Sequence, residues 1–313
     1  MKNKKTLLYK IVLFSILIAT TISCSEKIET FEEPIPEETE GHAKGTNGYT
    51  KKLNFVLGDV KQAFIKNKIS SKSQVDNLLK GFKEMKVNGI RIPIFAPGKT
   101  PNKAMYDYFH KQAKAQGFKI FANPALHNGG KRIANGELHS IGPSVLGKSA
   151  AKNALVKAIK DYSKAYKCNW ICPFNEDGKP GQHWYNTQMN NIFKELKGKM
   201  NGAALIGPCT WGIGGGIDVL KKTDVEKHVS IVTTHNLGFE HDKWKEFKKL
   251  AGKKIWDSET NNNKKYANKK TRIQAAVDAG VNGLVLYDSW KYINMSNGNV
   301  NNNGKAVMDI YLK

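Results

Sequence analysis

The 313-residue sequence predicts an α/β chain folded as a (β/α)8 TIM barrel, and three observations carry that expectation. Eight short apolar runs alternate with amphipathic stretches, the pattern of parallel β/α units. Eight such units in about 265 residues match a closed eight-stranded barrel in count and length. No Gly-x-Gly-x-x-Gly follows the first run, which sets aside an open doubly wound sheet.

The strands are predicted at Leu53–Leu57, Gly89–Phe95, Phe118–Pro124, Asn169–Phe174, Gly202–Gly207, Val229–Thr234, Lys254–Asp257 and Gly283–Tyr287. Between them, apolar residues recur at helical spacing. Val75, Leu78, Leu79, Phe82 and Met85 form one such stripe. Ala154, Leu155, Ala158, Ile159 and Tyr162 form a second, opened by Ser149 as N-cap, and Met189, Ile192, Phe193 and Leu196 a third. The last helix is short, Ala306–Tyr311.

Ahead of the barrel, Lys2 to Lys5 and the apolar run from Ile11 to Ala19 read as a secretory leader, residues 1–24. Thr21-Ile22-Ser23-Cys24 resembles a lipobox, with Cys24 as the lipidated residue. The expected location is therefore lipid-anchored at a bacterial outer membrane, cell surface or periplasm, with free secretion as the alternative. Residues 25–48, rich in Glu, Pro, Thr and Gly, read as an acidic tether, and residues 49–313 as the barrel.

Net charge is +23, and 47 of the 50 basic residues are lysine. A field of that sign speeds encounter with anionic partners of any kind. No run of basic residues interleaved with aromatics and no zinc-finger spacing occurs, so nucleic acid is not the expected partner. Cys168 and Cys172 lie about 13 Å apart at strand rise and cannot bridge. Buried thiols are the default reading for Cys168, Cys172 and Cys209, and a Cys172–Cys209 bridge stays open.

In a barrel, chemistry collects at the C-terminal ends of the strands. Those ends here carry Arg91, His127-Asn128, Asn175-Glu176-Asp177, His235-Asn236, Asp257-Ser258-Glu259 and Asp288-Ser289-Trp290. Glu176 and Glu259 fall on strands separated by two others, on opposite sides of the mouth. Taken singly, each residue has an ordinary structural reading. Their joint placement is what carries chemistry, because cleavage of a glycosidic bond needs two opposed carboxyl groups, one giving a proton and the other attacking or activating water.

The constellation resembles the clan A glycoside hydrolases. The resemblance implies a retaining double displacement, with Glu176 in Asn175-Glu176 as acid/base and Glu259 as nucleophile. It also implies Arg91 and His235 as partners of Glu259, Asn175 on a sugar hydroxyl, and His127 and Trp290 lining the scissile bond. Asp177 departs from the family pattern, which commonly has proline there. Trp184, Tyr185 and Trp211 fall in strand-end loops, where they add sugar subsites or pack structurally. No cofactor is implied, and no His-Glu-x-x-His or similar spacing calls for a metal. The expected substrate is an extracellular polysaccharide. Positive charge, with Lys131, Arg132 and Lys179 in the loops after strands three and four, favours an anionic one such as a sulfated algal galactan or fucan. Neutral β-glucan or β-mannan is the alternative, as is a glycan-binding lipoprotein without activity.

Overall fold

The computed structural model describes residues 53–177, 184–238, 240–261 and 270–312. Within them eight parallel strands close into a barrel in sequence order. They are β1 (Phe55–Asp59), β2 (Gly89–Ile94), β3 (Lys119–Pro124), β4 (Trp170–Ile171), β5 (Ala204–Thr210), β6 (Ile231–Thr234), β7 (Ile255–Thr260) and β8 (Gly283–Leu286). β1 pairs with both β2 and β8, which completes the closure. The helices are α1 (Lys61–Ile65), α2 (Lys72–Glu84), α3 (Lys103–Ala115), α4 (Gly129–Ala134), α5 (Ser149–Ala165), α6 (Asn186–Leu196), α7 (Ile213–Lys222), α8 (Trp244–Ala251), α9 (Arg272–Ala279) and α10 (Asn302–Tyr311).

Two of the helical stripes read from sequence are buried faces, and in the α5 stripe Leu155, Ala158 and Ile159 are buried while Ala154 is exposed and Tyr162 half-buried. Val75, Leu78, Leu79 and Phe82 of α2 and Met189, Ile192, Phe193 and Leu196 of α6 are all inside. Ser71 caps α2 by accepting from Gln74 N, satisfying a helix-end donor. Ser149 is the first helical residue of α5 rather than its cap; Lys148 holds the cap position.

Strand boundaries moved where polar residues are buried. β1 runs on to Asp59 and β7 to Thr260, past the apolar letters that mark a strand in sequence. β5 begins at Ala204 because Gly202, at φ +86°, turns the chain.

The barrel interior is filled in layers. At its base Phe55, Phe121, Trp170 and Trp256 pack edge to face, with Phe55–Trp170 and Trp170–Trp256 centroids each 4.7 Å apart. Gly283 is the register neighbour of both Phe55 and Trp256, and a Cβ there would fall 2.5 Å from the indole. This apolar plug takes up Trp256 and forms the floor of the barrel. The layer above it is polar and buried, which requires that its groups satisfy one another.

Candidate active site

Asp59 and Arg91 are register partners on β1 and β2, and both side chains face the barrel axis with no exposure. Arg91 donates from Nε to Asp59 Oδ1 (3.1 Å), from Nη2 to Asp59 Oδ2 (2.7 Å) and from Nη1 to Glu259 Oε2 (2.8 Å). Asp59 also accepts from the backbone of Lys61 and Asp288. Burial works against the Arg91 charge, but the two carboxylates outweigh it and raise its pKa.

Lys61, the first residue of α1, is 2% exposed. Its Nζ donates to Asn175 Oδ1 at 3.0 Å and to Glu259 Oε2 at 3.3 Å. Asn123 Nδ2 also donates to Asn175 Oδ1 (2.7 Å), and Asn175 Nδ2 donates to Leu126 O (3.0 Å).

Glu176 takes a left-handed backbone, φ +61°, and its N–H donates to Cys209 O across to β5. The turn is held by Asp177, whose carboxylate accepts from the N–H groups of Asn175, Gly130 and Lys131 at 2.8–2.9 Å. α4 comes this close because Gly129 and Gly130 have no side chains; a Cβ on Gly130 would meet the Phe174 ring at 2.7 Å. Burial outweighs those three donors and pushes the Asp177 carboxyl up to about 7. The aspartate that replaces proline after Asn175-Glu176 is thus a brace.

Glu176 and Glu259 face each other, and His235 sits between them. An oxygen of each carboxylate and a ring nitrogen of the histidine all lie within 4.8 Å of one another. His235 Nδ1 is 3.5 Å from Glu176 Oε1 and 3.8 Å from Glu259 Oε2, and neither ring nitrogen has a full hydrogen-bond partner among the described residues. Burial disfavours the imidazolium, but the charge of Glu259, with Cys209 and Glu176, raises its pKa to about 9. Burial would likewise raise Glu259, yet Lys61, Arg91 and His235 together hold it well below the usual carboxylate range. Tyr287 after β8 is raised by burial and by the charge of Glu259.

The structure therefore brings together Glu176, Glu259, Arg91, Asn175 and His235. It adds Lys61, Asp59 and Asn123, which sequence reasoning passed over. His127 lies on the exposed loop after β3, its Nε2 3.2 Å from Arg132 Nη2. Trp290 is half-buried in the turn Ser289–Tyr292; its Nε1 donates to Asp288 and Lys291 Nζ lies 5.8 Å from the ring centroid. Trp184 is 2% exposed and edge-on to Phe174, so packing takes up its ring. Trp211 is 40% exposed on the loop after β5, and Tyr185 is exposed on the loop after β4.

Arg132 is tied into the loop after β3. Its Nε donates to His127 O and its Nη1 to the carbonyls of Leu138, His139 and Ser140, so it organises its own loop. Lys131 is buried, and Lys179 and Cys24 lie outside the described residues. Cys172 and Cys209 are free buried thiols, not a bridge, as is Cys168, whose thiol burial pushes up to about 12. Among the described residues, Glu176, His235 and Glu259 are also the one set of side chains placed to share a metal ion, but Lys61 and Arg91 already bring positive charge to Glu259 Oε2.

No protein-family model and no curated protein matches the sequence. Solved structures do match. A psychrophilic glycoside hydrolase family 10 endo-β-1,4-xylanase is similar at TM-score 0.55 and 13% identity, covering 85% of this chain and 99% of its own. A tri-modular family 5 (subfamily 4) endo-β-1,4-glucanase from Bacillus licheniformis is similar at 0.54 and 12%, covering 82% and 59%. A family 113 β-1,4-mannanase is similar at 0.50 and 10%, covering 82% and 97%. The chain shares the closed (β/α)8 barrel of these three structures, and identities this low carry the fold alone.

Proposed function

We propose that this protein is a retaining glycoside hydrolase. One observation carries the reading: Glu176 and Glu259 face each other across the barrel mouth with oxygens within 4.8 Å. Direct nucleophilic attack needs carboxyl groups about 5–5.5 Å apart, whereas an inverting pair stands about 6.5–9.5 Å apart to admit water. The two environments also differ as the two roles require. Glu259 is kept ionised by cations, while Glu176 meets none among the described residues except His235.

In this mechanism Glu259 Oε1 attacks the anomeric carbon as the glycosidic bond breaks, and Glu176 gives its proton to the departing oxygen. A water then gives its proton to Glu176 and its oxygen to the anomeric carbon, and the bond to Glu259 returns its electron pair to the carboxylate. Asn175 faces the sugar hydroxyl beside the anomeric carbon, a contact that strengthens in the transition state. His235 Nδ1, 3.5 Å from Glu176 and 3.8 Å from Glu259, stands within reach of both carboxylates.

For substrate, a neutral β-1,4-linked polysaccharide is the better supported class. Arg132 is spent within its own loop, and the lysines of α8 sit on the outer helix layer. The named substrates of the structural neighbours are of that kind. An anionic glycan is the second reading, favoured by the net charge of +23. Anchoring through Cys24 would hold the barrel at a membrane surface where polymers arrive. Reducing-end release from neutral and sulfated polysaccharides, with Glu259→Gln alongside, tests all of this. Hydrolysis of mannan, glucan or xylan that vanishes in the variant is expected. Hydrolysis unaffected by Glu259→Gln defeats the site, and binding without cleavage makes the protein a glycan-binding barrel.

A further inference from the structure

Three basic side chains approach Glu259, and all three point at the same oxygen. Arg91 Nη1, Lys61 Nζ and His235 Nδ1 lie 2.8, 3.3 and 3.8 Å from Oε2. They are not equivalent. Arg91 gives two of its donors to Asp59, so its charge is already balanced by a second carboxylate. His235 is shared with Glu176. Lys61 has Glu259 as its one carboxylate partner among the described residues, and its other side-chain contact is the neutral Asn175. It is also 2% exposed, so water does not screen it.

We infer, resting on the retaining reading, that Lys61 is a positioning residue for the second half of the reaction, where it turns Glu259 into a good leaving group. When the bond from Oε1 to the anomeric carbon forms, Oε2 becomes the carbonyl oxygen of an ester and its charge is lost. When water's oxygen bonds to that carbon, the electron pair of the C–Oε1 bond returns to the carboxylate and water's proton passes to Glu176. Negative charge then reappears where Lys61 donates. A fixed cation there stabilises the departing carboxylate, and the same cation weakens Glu259 as a nucleophile. The asymmetry favours breakdown of the glycosyl-enzyme over its formation. The link from Lys61 to Asn175 also ties the nucleophile to the residue facing the sugar hydroxyl, so both hold one geometry through the two steps.

The test is pre-steady-state kinetics of the full chain on the 2,4-dinitrophenyl glycoside of the disaccharide matching the glycan it hydrolyses. In Lys61→Met, kcat should fall about 10- to 100-fold, the worth of a hydrogen bond between charged groups. KM should fall with it, leaving kcat/KM within about threefold, because this substrate reports formation of the intermediate. A burst of one equivalent of dinitrophenolate should appear, with the glycosylated protein visible by intact mass. Lys61→Arg should restore turnover. A fall in kcat/KM as large as that in kcat, with no burst, overturns the role of Lys61. Absence of hydrolysis by the parent, or release of the inverted anomer by NMR, overturns the retaining reading instead. If Lys61→Met does not fold, Lys61→Gln, which keeps a neutral donor, carries the same comparison.

Discussion

Arg91 Nη1 lies 2.8 Å from Glu259 Oε2, and the same guanidinium clasps Asp59 with its other two donor nitrogens. One side chain thus joins β1, β2 and β7. Replacing it by methionine leaves two carboxylates facing each other without their shared cation. Arg91→Met should lose about 3–5 kcal/mol of stability in urea unfolding, the usual cost of halving a buried ion pair. A loss below about 1 kcal/mol would mean that the carboxylates relax onto Lys61 and water.

Asp257 sits buried on β7, and burial pushes its carboxyl up to about 8. The folded protein then keeps a proton that the unfolded chain releases near pH 4, so this residue makes stability fall as pH rises from about 4 to about 8. His235 acts in the same direction, its contribution being full below about 6.5 and lost as pH rises through about 9. Asp257→Asn should remove the first slope, roughly 1.4 kcal/mol per pH unit at its steepest. Thermal unfolding from pH 5 to 9 measures it, and parallel curves for parent and variant would contradict the assignment.

Asp177 braces Asn175-Glu176 through three backbone N–H groups. Asp177→Ala should cost about 3 kcal/mol by leaving buried donors unmet. It should also lower kcat, because Glu176 loses the support of its turn. Crystal structures of parent and variant would show Glu176 displaced; an unmoved carboxylate with lost activity would require another cause.

Two tryptophans in neighbouring loops should behave oppositely. Trp184→Ala opens a cavity beside Phe174 and should cost about 3–5 kcal/mol. Trp211→Ala removes a ring that is 40% exposed, with stability changed by no more than about 0.5 kcal/mol. Its effect should fall on KM for polymer, raised about tenfold by loss of a stacking face. Equal KM on long and short substrates would remove Trp211 from the binding surface.

The barrel was readable in sequence because burial writes itself as alternating apolar runs, and Glu176, Glu259, Arg91 and His235 because a strand end is a short, predictable place. Lys61 and Asp59 were not readable. One is a lysine among 47, and the other follows Gly58 beyond the apolar letters that ended the first predicted strand. The bonds that Arg132 makes within its own loop are not readable in sequence for a related reason. A loop that folds back onto its own arginine leaves no periodic mark, whereas a helix stripe does. The same holds for Trp184, whose burial comes with its packing against Phe174 in the loop after β4.

The left-handed backbone at Glu176 carries a final consequence. A residue with a Cβ gives up about 1–2 kcal/mol to adopt φ +61°, and glycine adopts it freely. Glu176→Gly should therefore melt later than the parent while turning over nothing. Heat resistance and turnover pull against each other at this one position. Selection for thermal tolerance alone would drift toward a barrel without the Glu176 carboxyl, and any laboratory evolution of the protein has to score product formation in every round.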